Sequence, residues 1–338
     1  MATIILSLII FGILVIFHEF GHFSVAKLIG VKVEEFSVGM GPNLFSIKKG
    51  ETLYSIRALP LGGFCKMLGE DEDSKDQKSL SNKSILGRAA VFIAGSLMNI
   101  LLAIILLSIV LFTMGTPSTT IAEVESDYPA YIGGIRAGDK IISINNQDIK
   151  EYKQIEAIIT KNGANNLEIT IQRNEDIKNI SIKPKYDENL ERYRIGIKPA
   201  SEKSLVGSIT NSFKEIIYLT KSIMVLLGQL VTGRVNMGSL DLVGPIGVVA
   251  IVNETAKNGL LPVILLAAQI SLNLGIFNLL PIPALDGSRL LFLVFEGIRG
   301  KPINPEKEGL FHFVGFVLLM VLAVFIGYRD IVRFRNFF

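Results

Sequence analysis

Tryptophan is absent from this chain, cysteine occurs once and histidine three times in 338 residues. The single thiol, Cys65, excludes an intramolecular disulfide and a C-x-x-C thiolate metal site. Nothing near it in sequence would activate it, so it reads as a small buried hydrophobe. Charge is also scarce: Asp, Glu, Lys and Arg make up 19% of residues against 49% hydrophobic. The 34 basic and 31 acidic residues leave a net charge of +3, spread through the connecting segments, which gives no basis for a nucleic-acid partner. Charge is sparsest in four long runs, 4–29, 89–115, 259–285 and 310–328. Each reaches the roughly 20 apolar residues that a helical membrane span needs. The first lacks a basic n-region and a small-residue cleavage site before His18, so it is read as a retained span and not as a signal peptide.

Inside that first run stands His18-Glu19-Phe20-Gly21-His22. Histidines four apart share one face of an α-helix, so both imidazoles can reach one metal ion, and Glu19 beside them can poise a water on it. Hydrolysis is the chemistry that this spacing serves. The bland alternative is a trio of core or pore residues paired with one another. Against it, an ionisable group within a span costs about 2.5 to 3.5 kcal/mol on insertion scales, which makes function the default reading.

Hydrolytic zinc takes three protein ligands and leaves one position for water, so a third donor is expected elsewhere. No basic residue precedes Ile4, whereas Lys27, Lys32, Lys83 and Arg88 flank the loop between the first two runs. That places the loop in the cytoplasm and the N-terminus outside. His18 then lies roughly 22 Å down its helix, toward the cytoplasmic side. Four spans put Arg329, Arg333 and Arg335 outside, against the same rule. A fifth span over 216–232 would repair this but would carry the loop after Leu285 away from His18. That stretch, which contains Lys221, is therefore expected to be an amphipathic helix at the outer interface.

At the inner end of the third run, residues 278–287 read N-L-L-P-I-P-A-L-D-G. Pro281 and Pro283 break the helix and free backbone groups that only a buried or watery setting satisfies. Asp286 is the lone carboxylate of this apolar context and the expected third ligand. Two rival readings stand: Asp286 caps a helix beginning near Ser288, or His312, at the start of the last run, is the ligand instead.

Residues 117–198 change character, with period-two runs at 141–144, 167–171 and 180–182 bounded by Gly and Asn, which predict strands. The run Gly133-Gly134-Ile135-Arg136-Ala137-Gly138-Asp139-Lys140-Ile141 resembles a PDZ core, and a helix is expected over 152–161. Such domains bind peptides by strand addition; a plug that hinders bulky substrates is equally compatible. Between the first two spans, 44–67 holds an apolar strand-like segment, and 70–73 reads as a solvated acidic loop.

The H-E-F-G-H run, Leu285-Asp286-Gly287 after the prolines and the intervening PDZ-like insert together resemble the site-2 protease family, in its RseP-type bacterial branch. The likeness covers nearly the whole chain, with 60–67 and 95–99 as supporting stretches. It implies one zinc ion held by His18, His22 and Asp286, with Glu19 as catalytic base. It also implies Asn273 and Asn278 near the active site, and a membrane-dipping β-loop whose Gly62 and Gly63 lie where substrate is held as an added strand. Ser288-Arg289 follows the Asp-Gly where many relatives have Gly-His.

The expected fold is a polytopic α-helical membrane protein of four transmembrane helices, the third broken by proline, with a membrane-associated β-loop and an inserted small α+β PDZ-like domain. Its expected parts are 1–115, 116–200 (PDZ-like, outside), 201–258 (amphipathic) and 259–338. The expected activity is cleavage of transmembrane proteins such as anti-sigma factors or remnant signal peptides, in a cell membrane, with zinc toward the cytoplasm. A non-catalytic membrane binding module and a metal-ion transporter are the competing classes. Glu19 weighs against the first, and the absence of detectable inverted repeats against the second.

Overall fold

The computed structural model describes residues 2–70, 74–235, 243–301 and 303–333; residues 71–73 of the acidic loop and Arg335 lie outside the described residues. Two compact units emerge, Met1–Val110 with Ser212–Phe338, and Leu111–Asn211.

The first unit begins with α1 (Ala2–Leu28), an almost wholly apolar helix of the kind that suits a membrane or a deep core. A long antiparallel hairpin follows, β1 (Val33–Lys49) and β2 (Thr52–Met67), closed by the two residues Gly50 and Glu51. Gly50 takes φ +64° at the first of these, the position where a type II′ turn calls for glycine. The hairpin base is buried at Val33 and Ser37, whereas Leu44, Phe45 and Ile47 nearer the tip are exposed. The apolar segment expected over 44–67 is thus the tip and the whole returning strand of a hairpin that already begins at Val33, and it ends at the buried base with Cys65 and Met67. A 3-10 turn at Leu80–Asn82 leads into α2 (Ile85–Met114).

The second unit is built on a sheet. It comprises β3 (Thr116–Val124), α3 (Pro129–Ile132), β4 (Lys140–Ile144), β5 (Gln147–Asp148), α4 (Tyr152–Asn162), β6 (Leu167–Arg173), β7 (Asp176–Ile182), β8 (Lys185–Asp187), β9 (Arg192–Arg194) and β10 (Ile197–Glu202). Strand order is β10-β3-β4-β6-β7, all antiparallel, with β5 on β4 and β8 paired to β9. Leu167, Ile169 and Ile171 alternate along β6 and are fully buried, as a strand with one face on a core requires. Ile141 and Ile144 of β4 and Ile155 of α4 are among the residues that pack with them in this core. Full burial of each such side chain contributes about 1.5–3 kcal/mol.

The chain returns to the first unit through α5 (Leu205–Val231) and continues with α6 (Pro245–Lys257), α7 (Leu260–Asn278), α8 (Asp286–Arg299) and α9 (Pro305–Arg333). Among the described residues four helices are long and apolar enough to cross a membrane: Thr3–Leu28, Ile85–Met114, Leu260–Asn278 and Glu306–Arg333. The third differs from its expected extent. It stops at Asn278 and not at residue 285, because Pro281 has no N–H to offer the carbonyl of Phe277 and its ring crowds that carbonyl. The prolines therefore lie in a turn beyond the helix end and do not interrupt its middle. Ile282 N–H closes onto Leu280 O at 2.7 Å, and Ala284 takes φ +71°. That left-handed conformation costs an L-residue roughly 1–2 kcal/mol. A Cβ on Gly287 would lie 2.2 Å from Leu280 O, so the first turn of α8 folds back on this loop only because residue 287 is glycine.

Helix α2 lies against both α1 and α7 through small residues. A Cβ on Gly21 would lie 2.3 Å from Ala94 O, and one on Gly275 would lie 2.8 Å from Ser96 O. Ser271 donates to Asn99 O at 2.8 Å. Small residues and interhelical hydrogen bonds are what hold helices together where lipid removes the hydrophobic drive. Helix α9 is more loosely held, only 6% of its most apolar stretch being buried. It is tied at one end by Gly315 packing on Pro283, and at the other by Asp330, which accepts from Gly244 N (3.0 Å) and Gly247 N (2.8 Å) at the start of α6.

Candidate metal centre and active site

One turn of α1 presents His18 and His22 to the same side, and the first residue of α8 brings Asp286 to them. His18 Nε2 and His22 Nε2 are 3.2 Å apart, and Asp286 Oδ2 lies 3.2 Å from the first and 3.4 Å from the second. Three donors on zinc at about 2.0–2.2 Å in tetrahedral geometry are separated by roughly 3.3–3.5 Å, so the triangle matches the edges of a zinc site. Both histidines are buried, and no N–H or O–H of the described residues is hydrogen-bonded to Asp286 Oδ2, which is itself buried. The arrangement therefore fits a cation, and the donor set of two imidazoles and one carboxylate is one that zinc hydrolases use.

The tautomers agree. Val91 O of α2 can only accept, so His22 Nδ1–H donates to it at 2.8 Å and Nε2 keeps its lone pair toward Asp286. On His18 the Nδ1 atom lies 3.2 Å from the Asn99 amide nitrogen, while Asn99 Oδ1 is buried without a partner. Exchanging the two nearly isosteric ends of that amide lets His18 Nδ1–H donate to Oδ1, satisfies the oxygen and frees Nε2 for a metal. Gly95, one turn before Asn99, makes room: a Cβ there would lie 2.3 Å from His22 Nε2.

The two rival readings of the third donor fare differently. Helix α8 begins at Asp286 itself with Leu285 as N-cap and no side-chain cap bond, so Asp286 does not cap a helix starting near Ser288. His312 lies on the wall of the same cavity but outside the cluster of His18, His22 and Asp286. The sequence shows no partner for it; in the structure its Nδ1 accepts from Ala284 N at 3.2 Å.

A cavity of about 450 Å³ opens onto the triad, with Glu19, Phe64, Cys65 and Arg289 in its walls. Burial pushes the Cys65 thiol well above the usual thiol range, and Cys65 lies outside the cluster of His18, His22 and Asp286. Strand β2 comes against Glu19 at Gly63, where a Cβ would sit 3.6 Å from Glu19 Cγ. Gly62 beside it takes φ +84°. Asn278 places Nδ2 3.4 Å from His18 Nε2, at the edge of the cluster. Asn273 is exposed on α7, five residues and about 140° around the helix from Asn278, and is not brought to the site. Glu70, read from sequence as part of a solvated loop, is paired with Arg289 of α8, whose guanidinium lies 5.3 Å from the centre of the Phe92 ring.

The family model for Peptidase family M50 matches residues 6–322. A Clostridium acetobutylicum protein provisionally named a zinc metalloprotease is 37% identical, covering 99% of each chain. Zinc metalloprotease RasP of Geobacillus kaustophilus and Regulator of sigma-W protease RasP of Bacillus subtilis are each 31% identical, covering 98% of both chains. Among solved structures, the PDZ domain of an SdrC-like protein from Listeria monocytogenes is 21% identical over 26% of this chain and 88% of its own, with a TM-score of 0.22, too low to carry an argument. The family match spans the triad, Glu19 and the whole of the second unit, and with it the chain belongs to peptidase family M50, the site-2 proteases.

Proposed function

We propose that this chain is an intramembrane zinc endopeptidase in which His18, His22 and Asp286 hold one zinc ion and Glu19 is the catalytic base. The convergence of three metal-competent atoms within 3.4 Å of one another, one residue from a carboxylate, carries this reading. When bound, the metal supplies Lewis acidity, lowering the pKa of a water and polarising the scissile carbonyl. Glu19 accepts the proton of the attacking water and returns it to the leaving amine. Val91 O and Asn99 hold the two imidazoles in the ligating tautomer. The Asn278 amide orients substrate beside His18.

The substrate is a membrane-spanning segment. Peptide bonds inside a helix are shielded and internally hydrogen-bonded, so the segment has to unwind before it is cut. Strand β2 at Gly62 and Gly63 offers it a partner strand next to Glu19, and the exposed apolar outer hairpin suits a bilayer setting. The active site is toward the cytoplasm and the second unit, PDZ-like, is outside. Supporting this are the depth of His18 in its span and the basic residues Lys27, Lys32, Lys83 and Arg88 around the first connecting loop. Anti-sigma factors and remnant signal peptides are the substrate classes. The second unit captures an extended peptide or hinders bulky substrates.

The test uses the full chain purified in detergent and a model transmembrane substrate. Chelation should abolish cleavage and zinc should restore it, while D286A should neither bind zinc nor cut. Undiminished cleavage by the metal-free protein would overturn the reading.

A further inference from the structure

Ala284 is the one non-glycine residue with positive φ among the described residues of the first unit. It stands two positions before Asp286, in the turn that aims that carboxylate at the histidines. The group that meets its backbone comes from the last span: Ala284 N–H donates to His312 Nδ1 at 3.2 Å. Ser288 Oγ, which donates to Leu285 O at 2.7 Å, lies 3.5 Å from the same nitrogen. A backbone N–H can only donate, so Nδ1 carries the lone pair and the ring proton sits on Nε2. That Nε2 is buried, with the Glu308 carboxylate 3.7 Å away, one turn back on α9. The ring is enclosed by Phe292 and Phe311, centroids 5.9 and 6.2 Å away, and Gly315 packs directly on Pro283. His312 is thus fixed on a helix that touches the turn and faces its strained peptide.

We propose that His312 is a positioning residue for the metal site. It holds Ala284 in the left-handed conformation and so sets the direction in which Asp286 leaves the turn. The proposal rests on Asp286 being a zinc ligand, as argued above. Without the ring acceptor, Ala284 N–H loses its side-chain partner and φ is free to relax to negative values. Either change swings the backbone that carries Asp286. The Glu308 carboxylate, 3.7 Å from Nε2, is too far to accept its proton and acts only through its charge, which favours the proton on that nitrogen and leaves Nδ1 to accept.

The experiment measures zinc affinity by chelator competition on the full-length protein in detergent, together with the visible spectrum of the cobalt-substituted form, which reports coordination geometry independently of cleavage. H312A should weaken zinc binding about 10- to 100-fold, the usual effect of removing a group that orients a ligand, and should alter the cobalt spectrum. H312N, whose amide oxygen takes the place of Nδ1, should stay close to wild type. Adding A284G to H312A should recover most of the loss, because glycine adopts positive φ without help. Wild-type affinity in H312A, a loss in H312N as deep as in H312A, or failure of A284G to restore binding would each overturn the proposal. D286A distinguishes the two levels: if it keeps zinc the metal-site reading itself fails, whereas if it loses zinc while H312A does not, only the brace fails.

Discussion

Both ring nitrogens of His22 are committed, one to Val91 O and the other toward Asp286, and His18 has the matching partner in Asn99. Glu19 carries no such duty to the metal. It stands in the cavity wall outside the cluster of His18, His22 and Asp286, so under the proposed mechanism its carboxylate is left for proton transfer. E19Q keeps the shape and removes the basicity, so cleavage should fall by at least about 10²–10⁴-fold, the range attributed to a general base, while zinc content measured on the purified protein stays at the wild-type level. Retained turnover would remove Glu19 from the mechanism. These residues were legible in the sequence because their signals are local: two histidines one helical turn apart, and a lone carboxylate after two prolines. Asn99 and Val91 O are not legible as parts of the site, and His312 is legible only as a rival ligand and not as a partner of Ala284, since these contacts span 81, 69 and 28 positions of chain. Asn273 shows the converse. An asparagine five residues before another on one helix shares its composition but not its face.

At the scale of elements, the crossing of α1 and α2 decides whether the histidines have room. Gly95 faces both imidazoles, and across the same contact Gly21 lies against the backbone of Ala94, so a methyl group at 95 can be admitted only by displacing the imidazoles or by parting the two helices along this seam. G95A should therefore abolish zinc binding, read by metal content after gel filtration, with the protein still inserted and monodisperse; wild-type zinc content would show that the crossing yields. In the second unit Asp187, at the end of β8, accepts from Tyr128 Oη at 2.7 Å and from Arg194 at 2.8 Å. These bonds hold its carboxyl down at about 2. The unfolded value is near 3.9, so the stabilisation is fully present above about pH 4 and is lost as pH falls through about 2. D187N should thus reduce hydrogen-exchange protection of the β8–β9 segment relative to wild type at pH 6, and the difference should shrink when both are compared at pH 2. An undiminished difference there would assign the effect to packing and not to charge. The strands at 141–144, 167–171 and 180–182 and the helix from 152 were legible from alternation and turn residues. β3 was not, because Pro117 near its start argues against a central strand and its pairing with β10 joins residues about 80 apart.

Considered as a whole molecule, the chain assigns its chemistry to one unit. His18, Glu19, His22, Asp286, Asn278, Asn99 and the cavity walls all belong to Met1–Val110 with Ser212–Phe338, and none to Leu111–Asn211. The second unit also leaves and rejoins the chain at neighbouring points, because its first and last strands pair with Thr116 opposite Glu202 and Val124 opposite Ile197. Removing residues 117–198 and closing the gap with a short flexible linker therefore asks little of the flanking helices. The deletion protein should bind zinc with wild-type affinity and cut a short, already trimmed transmembrane substrate. Its discrimination against substrates that carry bulky outer domains should change, since both peptide capture and steric exclusion depend on the missing unit. Competition between a trimmed and an untrimmed substrate in one reaction reads this directly, because any general loss of activity cancels in the ratio. A deletion protein that is folded and zinc-loaded yet cuts no substrate of any size would place the second unit within the catalytic machinery and end the division of labour argued from the two units.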